Sequence, residues 1–217
     1  MLNKNHMPKS WLFPVVLILA VCLQTGWAEA GKPQTRDGWL VGLSYGYSAG
    51  HIAWSTETEG SYKGGATPQM RFGKMISKSV ALGLDYHGWM LEKGEVPVKL
   101  RSSLQSVSLT ATWYPGHGGS ALDGFYLRGG GGFAWAGITF IEIDEEPQDH
   151  VPLSQEHGTR FDETGLGLNF QAGYEFRVSK SFAAGLGLGF NYLSIGREFY
   201  DTAYYFPVTL TGIWYLN

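Results

Sequence analysis

SKSFAAGLGLGFNYLSI, residues 179–195, decides the fold. From Phe182 to Tyr192 every second residue is apolar: Phe182, Ala184, Leu186, Leu188, Phe190 and Tyr192. The residues between them are Ala183, Gly185, Gly187, Gly189 and Asn191. A period of two marks an extended strand whose side chains alternate between two faces. Here one face is large and apolar, and the other carries almost no side chain.

The pattern recurs along the chain. Val80, Leu82, Leu84 and Tyr86 stand against Ala81, Gly83, Asp85 and His87. Leu166, Leu168, Phe170, Ala172, Tyr174 and Phe176 stand against Gly167, Asn169, Gln171, Gly173, Glu175 and Arg177. Segments of this kind, separated by turn-forming clusters, predict eight strands at about 37–49, 66–76, 80–91, 103–114, 124–138, 163–178, 182–195 and 203–216. No helix signal of useful length follows residue 31. The connections alternate between short ones (SKS at 77–79, SKS at 179–181, and the Gly-rich PGHGGSALD) and long polar ones. Even strand number, short turns at one end and long loops at the other match an all-β, antiparallel up-and-down barrel of the transmembrane kind, with both termini at the short-turn end. GKMISKSVALGLDY and EFRVSKSFAAGLGLGF repeat the same hairpin chemistry at two places.

The chain opens with Lys4 and Lys9, an apolar run WLFPVVLILAVCL and the small-x-small site Ala28-Glu29-Ala30. That is the plan of a secretory signal peptide over residues 1–30, leaving 31–217 as one barrel domain. A lipoprotein reading at Cys22 would want a small residue where Val21 stands. Removing Lys4, Lys9 and Glu29 leaves 14 basic and 18 acidic side chains, which argues against nucleic acid as a partner. Cys22 is the only cysteine, so no disulfide holds the exported domain.

Two barrels could produce the alternation. A soluble carrier points its apolar face inward and solvates the other with Lys and Glu. Here the second face is Gly, Ala, Ser, Thr and Asn, which suits a cramped interior; eight strands enclose a space that side chains fill. The apolar face is therefore assigned to lipid. Aromatic residues gather toward both strand ends: Trp39, Trp113, Tyr114, Phe125, Tyr126, Phe176, Phe182, Trp214 and Tyr215 at one, Trp89, Trp135, Phe140, Tyr192, Tyr204 and Tyr205 at the other. Girdles at both interfaces are expected of a spanning barrel.

The SKSxALGLxY-type hairpins, the strand YLRGGGGFAWAG and the last strand FPVTLTGIWYL resemble the small outer-membrane β-barrel superfamily of Gram-negative bacteria, the OmpA-, OmpX- and OmpW-like group. The resemblance covers nearly all of 37–217, although the terminal aromatic of that group is displaced by Leu216-Asn217. It implies a location in the outer membrane, termini in the periplasm, and contacts with outer-membrane lipids, lipopolysaccharide and the barrel-assembly machinery.

The small-residue face also carries Arg71, Asp85, His87, Arg128, Asn169, Gln171, Glu175 and Arg177, expected to form a polar network that fills the lumen, because buried charges are costly unless paired. A narrow lumen passing small apolar molecules is the alternative that the OmpW resemblance allows. A lipid-A-modifying enzyme is a further one, with His51, Ser55 and Glu57 as candidates, since nucleophilic catalysis needs a base and an orienting acid in reach. The acidic loop with Glu142, Asp144, Glu145, Glu146, Asp149, Glu156, Asp162 and Glu163 lacks the order of a Ca²⁺ loop, and Lys93, Lys99 and Arg101 could meet lipid phosphates. GLGLGF and GGGGF lack the following helix of a phosphate loop. No cofactor, metal or catalytic residue is assigned; the expected protein is a non-enzymatic barrel with long surface loops.

Overall fold

The computed structural model describes residues 36–54, 59–95, 98–116, 122–142, 157–196 and 200–216. The expected signal peptide, with Cys22, lies outside them. Nine strands form one ring: β1 (Trp39–Trp54), β2 (Glu59–Ala66), β3 (Gln69–Met75), β4 (Val80–Glu95), β5 (Val98–Trp113), β6 (Phe125–Glu142), β7 (His157–Arg177), β8 (Phe182–Ile195) and β9 (Tyr200–Leu216). Strands β2 and β3 share a single stave. Both pair with β4 in one register and with β1 in registers that differ by one residue at a bulge between Tyr47 and Ala49, and Thr67 N–H donates to the Gly46 carbonyl between them. The ring therefore has eight staves, and β1 closes it on β9 from Trp39↔Leu216 to Trp54↔Tyr200.

The stagger of the wall can be read by walking across the ladder. Leu40 faces Gly73, then Gly83, Thr110, Gly130, Asn169, Asn191 and Tyr205, and the walk re-enters β1 at Gly50, ten residues beyond its start. Closing eight staves with such a shear goes with a strand tilt of roughly 35–45°.

Leu84, Leu168, Phe170, Leu186, Leu188 and Leu210 are about half exposed or more on the outside. Asp85, Asn169, Gln171 and Glu175, of opposite parity, are buried inside. The orientation expected from residues 179–195 is the one found. Gly187 shows why its face is bare: an added Cβ would lie 2.2 Å from Gln171 Nε2 and 2.9 Å from the Tyr126 hydroxyl. Gly124, at φ 109°, turns the chain into β6 where a Cβ would lie 2.5 Å from the Glu175 carbonyl.

The two SKS hairpins fold alike. Ser77 Oγ accepts from Val80 N–H at 3.0 Å, and Ser179 Oγ from Phe182 N–H at 3.1 Å. Both prolines within staves face a glycine: a Cβ on Gly88 would lie 3.2 Å from the Pro68 ring, and one on Gly189 2.9 Å from that of Pro207. Proline removes a ladder donor and crowds its neighbour, which confines it in sheets to special places. The β8–β9 ladder accordingly skips from Leu188↔Val208 to Asn191↔Tyr205.

Two expectations change. The long connections around 50–65 and 92–102 are mostly strand, because β1, β2, β4 and β5 run past the aromatic belt. And the girdles lose members: Tyr114, Tyr126, Tyr215, Trp89 and Tyr205 point inward and are buried. Each has the parity of the small-residue face, and parity outweighs the aromatic preference for interfaces. Phe182 stays outside but is covered by Trp214, ring centres 5.0 Å apart. Trp39, Trp113 and Phe176 are exposed at the short-turn end, and Trp135, Tyr192 and Tyr204 are partly buried near the other.

Candidate functional site

The lumen is built in three storeys. Toward the long-loop end, Ile52, Trp89, Leu91, Leu104, Ala134, Ala136, Ile138, Leu193, Ile195, Ala203 and Tyr205 form one apolar cluster. Trp89 reaches across it from β4. Its indole N–H donates to the Gly64 carbonyl of β2 at 3.2 Å, and its ring stacks on Tyr205, centres 6.0 Å apart.

The middle storey is polar and centres on Asp85, which is fully buried. Arg128 Nη1 approaches its carboxylate at 3.0 Å, Arg71 Nε at 3.8 Å and His87 Nε2 at 4.0 Å. Arg71 also donates to Thr112 Oγ1 at 2.5 Å, and Gln171 Nε2 to Thr209 Oγ1 at 3.0 Å. The four charged or titratable groups come from β3, β4 and β6 because the register sets Arg71 directly against Asp85, with Thr112 against Arg128 on the other side. Several buried polar atoms here, among them both His87 ring nitrogens, Thr110 Oγ1 and Asn169 Nδ2, have no hydrogen-bonding partner among the described residues. Such groups are the usual hosts of internal water.

At the short-turn end the lumen closes around Glu175, 1% exposed. Tyr114 donates to Oε1 at 3.0 Å and Tyr215 to Oε2 at 2.7 Å. Arg36, just ahead of β1 and only 3% exposed, lies with Nη1 3.5 Å from Asp123 and Nε 3.8 Å from Glu175. Its guanidinium sits 4.1 Å from the centre of the Tyr114 ring. Leu40, Met75, Ala81, Tyr126, Ala183 and Ile213 complete this layer with the two tyrosines.

Of the residues expected in one lumen network, Arg71, Asp85, His87 and Arg128 converge, and Asn169 and Gln171 are buried on the same inner face. Glu175 belongs to the lower group instead. Arg177 is half-buried there, its guanidinium 4.3 Å from the Tyr215 ring centre and donating to the Lys180 carbonyl. The apolar storeys above and below the polar one were not foreseen, and neither was Arg36, which lies just ahead of β1.

His51 points outward and stacks on Tyr204, centres 5.1 Å apart. Ser55 and Glu57 lie outside the described residues, as do Asp144, Glu145, Glu146, Asp149 and Glu156. Glu142, Lys93 and Lys99 are described only by their place in β6, β4 and β5. Arg101 makes an exposed ion pair with Glu92 at 3.4 Å. Among the described residues no three His, Cys, Asp or Glu side chains gather as a metal site would need.

No protein-family model matches the sequence, and no curated protein matches it. The fold has counterparts among solved structures. One is Ail, the attachment invasion locus protein of Yersinia pestis, solved in complex with the heparin analogue sucrose octasulfate: TM-score 0.52, 11% identity, covering 82% of this chain and 98% of that one. Another is Neisserial surface protein A, NspA: TM-score 0.57, 13% identity, covering 83% and 98%. At such identities the likeness is one of architecture alone: the chain has the antiparallel β-barrel fold of these two small barrels.

Proposed function

We propose that the protein is a non-enzymatic integral barrel of the outer membrane, closed to solutes and exposing its long-loop end at the cell surface with its termini in the periplasm. The observation that carries this reading is the filling of the lumen. An apolar storey, a paired polar storey and a tyrosine–carboxylate storey follow one another along the axis. Outside, the half-exposed leucines and phenylalanines of β7, β8 and β9 suit acyl chains. Its partners are then outer-membrane lipid and lipopolysaccharide along the wall, the assembly machinery during insertion, and a surface ligand met by the loops.

The test is paired. On an SDS gel the folded barrel should migrate differently before and after boiling. In a planar bilayer it should pass no steady current; a stable conductance would favour the narrow-channel reading. For the lipid-A reading, mass spectra of lipid A should be the same with the native chain and with His51→Ala, because His51 lies against Tyr204 on the outer wall.

A further inference from the structure

Two arginines stack on two tyrosines that share one carboxylate. Arg36 lies over Tyr114 and Arg177 over Tyr215, and both hydroxyls donate to Glu175. The arginines differ in setting. Arg177 is half-buried and spends a donor on the Lys180 carbonyl of its own hairpin. Arg36 is 3% exposed, belongs to no strand, and faces Asp123 in the β5–β6 connection as well as Glu175 in β7. Two carboxylates and an aromatic face around one planar cation make the chemistry that selects guanidinium over a plain ammonium. Two buried carboxylates are costly without a cation beside them, and Arg36 stands beside both.

We propose that Glu175, Asp123 and the ring of Tyr114 form a guanidinium-binding cage at the short-turn mouth, and that Arg36 fills it as a ligand supplied by the chain itself, closing that end of the lumen. The cage is preformed by the barrel: Tyr114 and Tyr215 orient Glu175, while Tyr174 O–H holds the Asp123 carbonyl at 2.6 Å. A free guanidinium compound should therefore replace the missing side chain when Arg36 is removed. This inference does not depend on which end of the barrel faces the periplasm.

The experiment uses the full chain with Cys22→Ser, refolded in detergent, and one reporter cysteine at a time. Ala183→Cys reports on the lower apolar layer and Ala203→Cys on the upper one; both alanines are at most 1% exposed. A charged, water-soluble thiol reagent is added with or without Arg36→Ala. Arg36→Ala should raise the labelling rate at Ala183→Cys by about tenfold or more, the loss of one partner of a buried ion pair, and leave Ala203→Cys unchanged. Guanidinium chloride at tens of millimolar should restore protection in Arg36→Ala, whereas equal sodium chloride or methylammonium should not. It should do nothing for Arg177→Ala.

Unchanged labelling at Ala183→Cys would show that Arg36 is no closure. A matching rise at Ala203→Cys would show general loosening, and rescue by sodium chloride would show a mere screening of charge; each overturns the proposal. Should Arg36→Ala not refold, guanidinium present during refolding should recover the heat-modifiable band, and Asp123→Asn should give the same labelling pattern with a smaller rise. Failure of both would overturn it equally.

Discussion

Tyr114 and Tyr215 hold opposite oxygens of the same carboxylate, Glu175, at 3.0 and 2.7 Å. They reach it by the same route. Each stands at the end of a strand paired with the one that leaves an SKS turn: Tyr114, just after β5, donates its N–H to the Ser79 carbonyl, and Tyr215, near the end of β9, donates its N–H to that of Ser181. The repeated hairpin of the sequence thus delivers two equivalent tyrosines to one acceptor.

Glu175→Leu leaves two buried hydroxyls without their acceptor and Arg36 with one carboxylate fewer. Breaking a buried ionic group in this way costs about 3–5 kcal/mol. Urea unfolding in lipid vesicles should show that loss, and Glu175→Gln, which keeps an acceptor oxygen, a smaller one.

Asp85→Leu should be as damaging, because Arg71 and Arg128 both lean on that carboxylate. A double-mutant cycle with Arg128→Met should recover part of the loss, since removing both partners spares the cost of a stranded charge. A purely additive cycle would mean that the 3.0 Å contact carries no coupling.

Adjacent residues of β8 give opposite outcomes. Leu186→Arg puts a charge on the lipid face near mid-strand and should cost about 2–4 kcal/mol in membranes, with less effect in detergent that lets the side chain reach water. Gly187→Val instead collides with Gln171 and Tyr126 inside, so its penalty should be the same in both media.

Trp89→Ala removes the side chain that crosses the upper storey and should cost about 3–5 kcal/mol, as large aromatic truncations in cores do. Alone it should leave the barrel non-conducting, because the Glu175 layer still closes the other end. Combined with Arg36→Ala it should admit small ions, measured as single-channel current; conduction by Trp89→Ala alone would mean that the lower storey is no barrier.

How much of this could be read beforehand depended on where alternation is clean. Where alternation is regular, as at Leu186–Gly187–Leu188, large faces small, and side, topology and the outward apolar surface were legible. At the long-loop end the contrast fails: His87-Gly88-Trp89-Met90-Leu91 is apolar on both parities, since Trp89 and Leu91 fill the lumen while Met90 faces out. A rule that sends aromatics to interfaces then claimed residues that parity places inside. The charged groups were legible as inward, but not their division into two clusters. That division follows from the ten-residue stagger, which sets Glu175 level with Tyr114 and well below Asp85. Arg36 had no periodic neighbours to give it a face.

The stagger carries one more consequence. Ten is an even number, so the circuit from Leu40 returns to a residue of the same sense, and every stave agrees with its neighbours about inside and outside. Adding a single residue to the regular part of one stave, with no bulge like the one between Tyr47 and Ala49 to absorb it, would turn part of it over, presenting glycine to the outside and leucine to Asp85. Length changes in this wall should be tolerated in twos, while the connections beyond it are at liberty to grow by any count.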